Sequence, residues 1–160
     1  MHIVPPQSAP EFIASSELAH DSGYLDVNIN TLQHNKFSNI FGLGDVANLP
    51  TSKTAAAIFS QTPVVVNNIL KELGLSEQTA TYDGYAACPV FVGNQELMLC
   101  EFKYGRATST SWSADQTTPS KLFYQMKKNV FPRAYMDWMP KGKWYGASGP
   151  GPIKPKLTYQ

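Results

Sequence analysis

The stretch "NIFGLGDVANLPTSKTAAAIF", Asn39 to Phe59, decides how the rest of the chain is read. Within it, Gly42-Leu43-Gly44-Asp45-Val46-Ala47 fits the G-x-G-x-x-A pattern of a dinucleotide-binding turn. In a true turn of that kind the helix starts at the glycines and its free N–H groups hold the pyrophosphate. Here Asn48-Leu49-Pro50 delays the helix, and Asp45 places a negative charge where phosphate oxygens would lie. For phosphate the pattern is a decoy.

The same residues suit a different ligand. Ile40-Phe41-Gly42-Leu43 reads as a short buried strand bounded by glycines. Asp45 then falls just past its carboxyl end, where ligands dock on open α/β sheets. A carboxylate accepts hydrogen bonds from a sugar or polyol. The spacing predicts a helix from about Ser52 to Leu73, capped by Thr51 or Ser52 and closed by Gly74. Pro63 should kink or divide it. At its start, Ser52-Lys53-Thr54-Ala55-Ala56 lets a flat ligand approach the first-turn N–H groups, and Lys53 and the helix dipole favour negative charge. A polyol joined to an electron-accepting ring is a reduced flavin. The alternative is a capped helix after a tight turn, with Asp45 as an ordinary turn residue. The residues alone leave these two readings even.

The chain has 160 residues, 42% hydrophobic and 16% charged, so it can build a core and reads as globular. A net charge of +1 gives no case for nucleic-acid binding. Two cysteines and three scattered histidines make neither a disulfide framework nor a zinc site. No stretch reaches the roughly 18 apolar residues of a membrane span, and the start lacks the pattern of a signal peptide. Met1-His2-Ile3-Val4-Pro5-Pro6 reads as the end of a strand running into a loop, as in a piece of a longer domain.

Elsewhere, residues 11–20 are weakly helical and Gly23 to Val27 reads as a short strand. A β-hairpin is expected from Pro89–Val92 and Glu96–Tyr104 around a Gly93-Asn94 turn. Cys88 stands just before it, as a loop cysteine beside aromatics. Such a thiol is redox-active only when its thiolate is stabilised; the commoner reading is an inert small hydrophobe. For Cys100, inside Leu97-Met98-Leu99-Cys100-Glu101-Phe102, the inert reading is stronger. If Gly93-Asn94-Gln95 form a three-residue loop, Cys88 and Cys100 fall opposite each other and a disulfide becomes conceivable. Thr118-Pro119 opens a further helix with a Leu122, Phe123, Met126, Val130 stripe, ended by Pro132. Ala134, Tyr135, Trp138 and Met139 form a second stripe. Six Lys/Arg against one acid flank these faces between Pro119 and Tyr145, which suits either a membrane interface or packing on the protein's own core. From Lys141 on, Gly and Pro predict an irregular tail.

Taken together, "VPP", "TLQH", "NIFGLGDVANLPTSKTAAA", "YDGYAACP" and the "MK…FP…W" tail resemble the C-terminal part of the mitochondrial-type sulfide:quinone oxidoreductases, two-Rossmann-domain flavoproteins. The resemblance implies a mixed α/β fold: a strand–loop–helix segment contacting FAD, a β-hairpin and C-terminal amphipathic helices. It implies that residues 1–75 are a remnant of the nucleotide-binding domains and 76–160 a C-terminal domain. Gly44 and Asp45 would hold the FAD ribityl chain, and Lys53, Thr54, Ala55 and Ala56 would face the flavin. Cys88 would be one of two redox cysteines that take up sulfide as a persulfide, with electrons passing through FAD to ubiquinone and the sulfur to a small acceptor. The C-terminal helices would rest on the mitochondrial inner membrane. The resemblance also implies an N-terminal FAD-binding half, with a true G-x-G-x-x-G and the partner cysteine, that is missing here. The chain is therefore expected to be a C-terminal piece, inactive alone; the alternative is a non-catalytic membrane-surface or interaction module.

Overall fold

Ala55-Ala56-Ala57-Ile58 starts the longest element, helix α2 (Ala55–Glu72). Its cap is Thr54, whose hydroxyl accepts the N–H of Ala57 at 3.2 Å; the expected caps Thr51 and Ser52 stay in the loop. Pro63 does not divide the helix. The proline cannot donate to the Phe59 carbonyl, yet it sits on the buried face, where packing holds the turn together. The Thr62 hydroxyl bonds back to the Ile58 carbonyl at 2.8 Å in the same turn. Gly74, at φ +72°, closes the helix as expected.

The computed structural model describes residues 3–111 and 114–144, and the backbone of 156–158. The fold is mixed α/β, as expected. After a single helical turn, α1 (Glu11–Ala14), the chain runs through loops to α2. Two expected strands shrink to isolated bridges: Leu25 with Ala47 in parallel, Val27 with His34, and Gln33 with Phe41. Their apolar residues are nevertheless inside, with Leu25 and Val27 packed on Ile13 and Ala47.

Strand β1 (Thr79–Thr81) follows α2 and pairs antiparallel with β5 (Lys156–Thr158), so part of the expected irregular tail is a strand. Residues 145–155 lie outside the described part. The main sheet has the order β2 (Ala86–Gly93), β3 (Glu96–Phe102), β4 (Thr108–Ser109). The β2–β3 turn is Asn94-Gln95, not Gly93-Asn94; both central residues have positive φ (48° and 58°), as a two-residue primed turn requires. A bulge at Val92 adds one residue to β2, which restores the register a three-residue loop would have given. Cys88 therefore does face Cys100.

Helix α3 (Lys121–Gln125) is capped by the Ser120 hydroxyl, so Pro119 lies before the helix rather than in its first turn. Pro132 does not end the helix. A π turn over 126–130 leads without a break into α4 (Phe131–Asp137), and Pro132 follows directly on that wider turn, which accommodates it.

The largest core cluster joins Leu32, Val64, Val65, Ala80, Tyr82 and Tyr85. Asn68 ties it together from the buried face of α2. Its amide donates to the carbonyls of Thr31 (2.8 Å) and Ala80 (3.0 Å), and its oxygen accepts the N–H of Ala80 (2.8 Å). One side chain thus stands in for a strand neighbour.

Candidate functional site

Gly44–Val46 forms one 3-10 turn, and φ +74° at Gly44 is open to glycine at little cost. The turn is pinned to α2 by Gln61, almost wholly buried, whose side-chain oxygen accepts the Gly44 N–H at 2.7 Å. Asp45 is exposed, and among the described residues its carboxylate makes no hydrogen bond. Lys53 turns back on the loop. Its ammonium donates to the carbonyls of Asp45 (2.5 Å) and Ala47 (3.2 Å) and lies 4.2 Å from the centre of the Tyr24 ring. Burial lowers its pKa, and the negative charge of Asp45 opposes that shift.

Gly44, Asp45, Lys53, Thr54, Ala57 and Gln61 line a small cleft where this turn meets the start of α2. Ala55 and Ala56 stand beside it in the first turn. Their N–H groups have no intrahelical acceptor, because first-turn amides precede any helical carbonyl. The cleft is a shallow depression, far too small to enclose a drug-sized ligand by itself. The cleft brings together an exposed carboxylate, a positive helix end and small side chains. A carboxylate placed there would accept polyol hydroxyls, and the helix end would favour a ring carrying negative charge.

The loop leading into α2 is fastened to "YDGY". The Thr51 hydroxyl donates to the Gly84 carbonyl at 2.7 Å. Position 84 needs glycine: at φ +84°, a Cβ there would lie 2.5 Å from the Tyr104 nitrogen. Burial raises the pKa of Tyr82, with Asp83 adding to the shift and hydrogen bonds from Gln61 and Thr51 opposing it. Cys88 follows four residues after Gly84. It lies within β2 rather than in a loop, exposed, and it does not line the cleft.

Glu101 was missed as a site of structure by sequence reasoning. It is buried in β3 and takes hydrogen bonds from Tyr85, from the N–H (2.9 Å) and hydroxyl of Ser111, and from Gln116 (2.8 Å). Burial pushes its pKa up, but the bonds from Ser111, Tyr85 and Gln116 outweigh it and leave the carboxyl below its ordinary range. Burial and the Glu101 contact push Tyr85 well above the usual phenol range. The alternation of Leu97, Leu99 and Glu101 on one face was the available signal.

The C-terminal helices split their apolar residues. Phe123 and Ala134 are buried, Met126 and Phe131 pack beside Leu97 and Leu99, and Tyr135 meets Phe59 edge-on at 6.2 Å. Leu122, Val130, Met136 and Trp138 remain exposed, whereas Trp144 is buried against Trp138. Among the described residues, no helix is long and apolar enough to cross a membrane.

Comparison with known proteins says what a chain with this Gly-Asp turn, helix and cysteine-bearing hairpin is similar to. It is 43% identical over 155 residues to the mitochondrial sulfide:quinone oxidoreductase of Schizosaccharomyces pombe, covering 93% of this chain and 34% of that protein. It is 45% identical over 148 residues to that of Dictyostelium discoideum and 37% over 146 to that of Mus musculus, covering 91% of this chain and 32% of each. The resemblance read from the sequence is thus borne out, and the chain spans about a third of the length of these enzymes. A chain in the cryo-EM structure of the Tetrahymena thermophila mitochondrial ATP synthase is also similar, with a TM-score of 0.73 and 34% identity, covering 82% of this chain and 32% of that one. No family model matches.

Proposed function

We propose that this chain supplies the flavin-facing wall and one redox cysteine of an FAD-dependent sulfide:quinone oxidoreductase. The observation that carries the reading is the 37–45% identity to three enzymes of that name over nearly the whole chain. Residues 1–75 are then the remnant of the nucleotide-binding domains and 76–160 the C-terminal domain. Gly44 and Asp45 hold the ribityl hydroxyls, and the Lys53–Ala56 segment presents its backbone and small side chains to the ring. Bound FAD would supply two-electron acceptance and onward delivery to ubiquinone. Lys53 keeps the Gly-Asp loop folded while its charge remains near the ligand.

Cys88 carries the sulfur chemistry. It begins in a disulfide with a cysteine from another part of the enzyme. Hydrosulfide attacks one of the two sulfurs, the S–S bond breaks, one cysteine keeps the added sulfur as a persulfide, and the other leaves as a thiolate. The persulfide sulfur then passes to a small nucleophilic acceptor, which leaves two cysteine thiols; bound FAD would take up their two electrons, and the disulfide re-forms. The exposed Leu122, Met136 and Trp138, with Lys and Arg about them, rest on the mitochondrial inner membrane. Replacing Cys88 by Ser in the complete enzyme should abolish sulfide-dependent ubiquinone reduction and leave FAD bound; retained turnover would remove Cys88 from the reaction.

A second reading is a non-catalytic interaction module. The likeness to a chain in an ATP synthase structure supports it. It expects the native protein to carry no flavin and to co-migrate with a large mitochondrial assembly on a native gel.

A further inference from the structure

We propose that the bond from the Tyr85 hydroxyl to the buried Glu101 carboxylate holds Cys88 at its working distance from the flavin-facing loop. Tyr85 and Glu101 are then positioning residues for the sulfide reaction, and neither touches the reacting sulfur. The proposal rests on Cys88 being a redox cysteine of the enzyme.

Cys88 needs such a hold. It is exposed on β2, whose only strand neighbour among the described residues is β3, and it does not line the cleft. Its place relative to the Gly-Asp loop is set through the segment before β2, Tyr82-Asp83-Gly84-Tyr85. One end of that segment is fixed beside the cleft. The Thr51 hydroxyl donates to the Gly84 carbonyl at 2.7 Å, and Tyr82 packs in the core with Val64 and Val65 of α2. The Tyr82 hydroxyl donates to the Tyr85 carbonyl at 2.6 Å and closes the turn. The other end is fixed to the hairpin. Tyr85, 7% exposed, donates its hydroxyl to Glu101 of β3. Glu101 is itself braced by the N–H of Ser111 (2.9 Å), the Ser111 hydroxyl and the Gln116 amide (2.8 Å). A carboxylate acceptor makes such bonds roughly twice as strong as neutral ones.

The register shows how the hold reaches the thiol. Glu101 stands opposite Ala87, the residue before Cys88. Side chains alternate along a strand, so Ala87 lies on the Glu101 face and Cys88 on the other. The network grips the strand from behind and leaves the thiol open. Tyr85 and Cys88 are three residues apart, about 10 Å of extended chain. That lever is short enough to pass a shift at Tyr85 on to the sulfur. A misplacement of about 1 Å can cost a reaction about a hundredfold.

The test uses the complete enzyme without oxygen. Stopped flow follows flavin bleaching by sulfide and, separately, reoxidation by a ubiquinone analogue. Tyr85→Phe keeps the ring and removes the donor. Bleaching at saturating sulfide should slow at least about tenfold, with FAD retained and the sulfide concentration for half-maximal rate unchanged. Reoxidation should keep the wild-type rate. Tyr82→Phe, which frees the Tyr85 carbonyl, should slow bleaching in the same way and decides alone if Tyr85→Phe fails to fold. Ser111→Ala removes a hydroxyl from the same carboxylate without touching Tyr85, and should bleach as fast as the wild type. Wild-type bleaching in the deciding tyrosine variant, an equal slowing of reoxidation, or an equal slowing in Ser111→Ala would each overturn the proposal. A wild-type flavin that sulfide leaves unbleached would overturn the redox reading of Cys88 itself, a failure distinct from the other three.

Discussion

The side-chain oxygen of Gln61 accepts the backbone N–H of Gly44 at 2.7 Å, joining the second turn of α2 to the Gly-Asp loop. A buried amide therefore sets where Asp45 stands relative to the helix N-terminus.

Gln61→Met keeps the shape and removes the acceptor, leaving a part-buried N–H unsatisfied. Such a loss costs about 1–3 kcal/mol. Urea unfolding should show it. A change within ~0.5 kcal/mol, the usual range for surface substitutions, would mean the bond does not hold the loop.

Asn68→Ala removes a side chain that satisfies two carbonyls and one N–H between the 28–32 loop, α2 and β1. The expected loss is at least about 1–3 kcal/mol, with faster amide exchange at Ala80. An unchanged exchange rate at Ala80 would show that Asn68 is not its partner.

Glu101 gives a pH signature. Its folded-state pKa is lowered, so its ionised form adds stability above the ordinary carboxylate pKa. That stability is lost as the pH falls through the folded value. Glu101→Gln should be less stable than the wild type at neutral pH, with the gap closing in acid below the usual carboxylate range. A gap independent of pH would contradict the assignment.

Trp138 is 40% exposed, whereas Trp144 is 8% exposed. An aromatic anchor at a membrane surface should therefore involve the first and not the second. Trp138→Ala should weaken binding to anionic liposomes roughly tenfold, the equivalent of about 1.4 kcal/mol. Equal binding would leave the exposed face without a lipid role.

Much of this was legible in the residues. Ala55 to Ile58 and Gly74 marked α2, and two apolar runs either side of Gly93-Asn94 marked the hairpin. The turn position was misread because Gly93 draws the eye, while Asn94 and Gln95 accept positive φ. Pro63 and Pro132 did not act as breakers, since burial holds one turn and a π turn accommodates the other. The expected strands at 23–27 and 40–43 became single bridges, because a strand's extent depends on neighbours that local sequence does not reveal. Gln61 and Asn68 were missed although their spacing signals them: they lie seven residues apart on the same face as Ala57, Val64 and Val65. Polar amides on a buried helical face must be bonded to something.

The most direct test is to tag the protein at the end of this sequence in its native source, purify it, and record its visible spectrum without oxygen. A bound flavin whose absorbance bleaches on adding sulfide and returns with a ubiquinone analogue is the result expected here, with bleaching lost in Cys88→Ser. Protein purified without flavin, or flavin that sulfide leaves unbleached, would contradict the account.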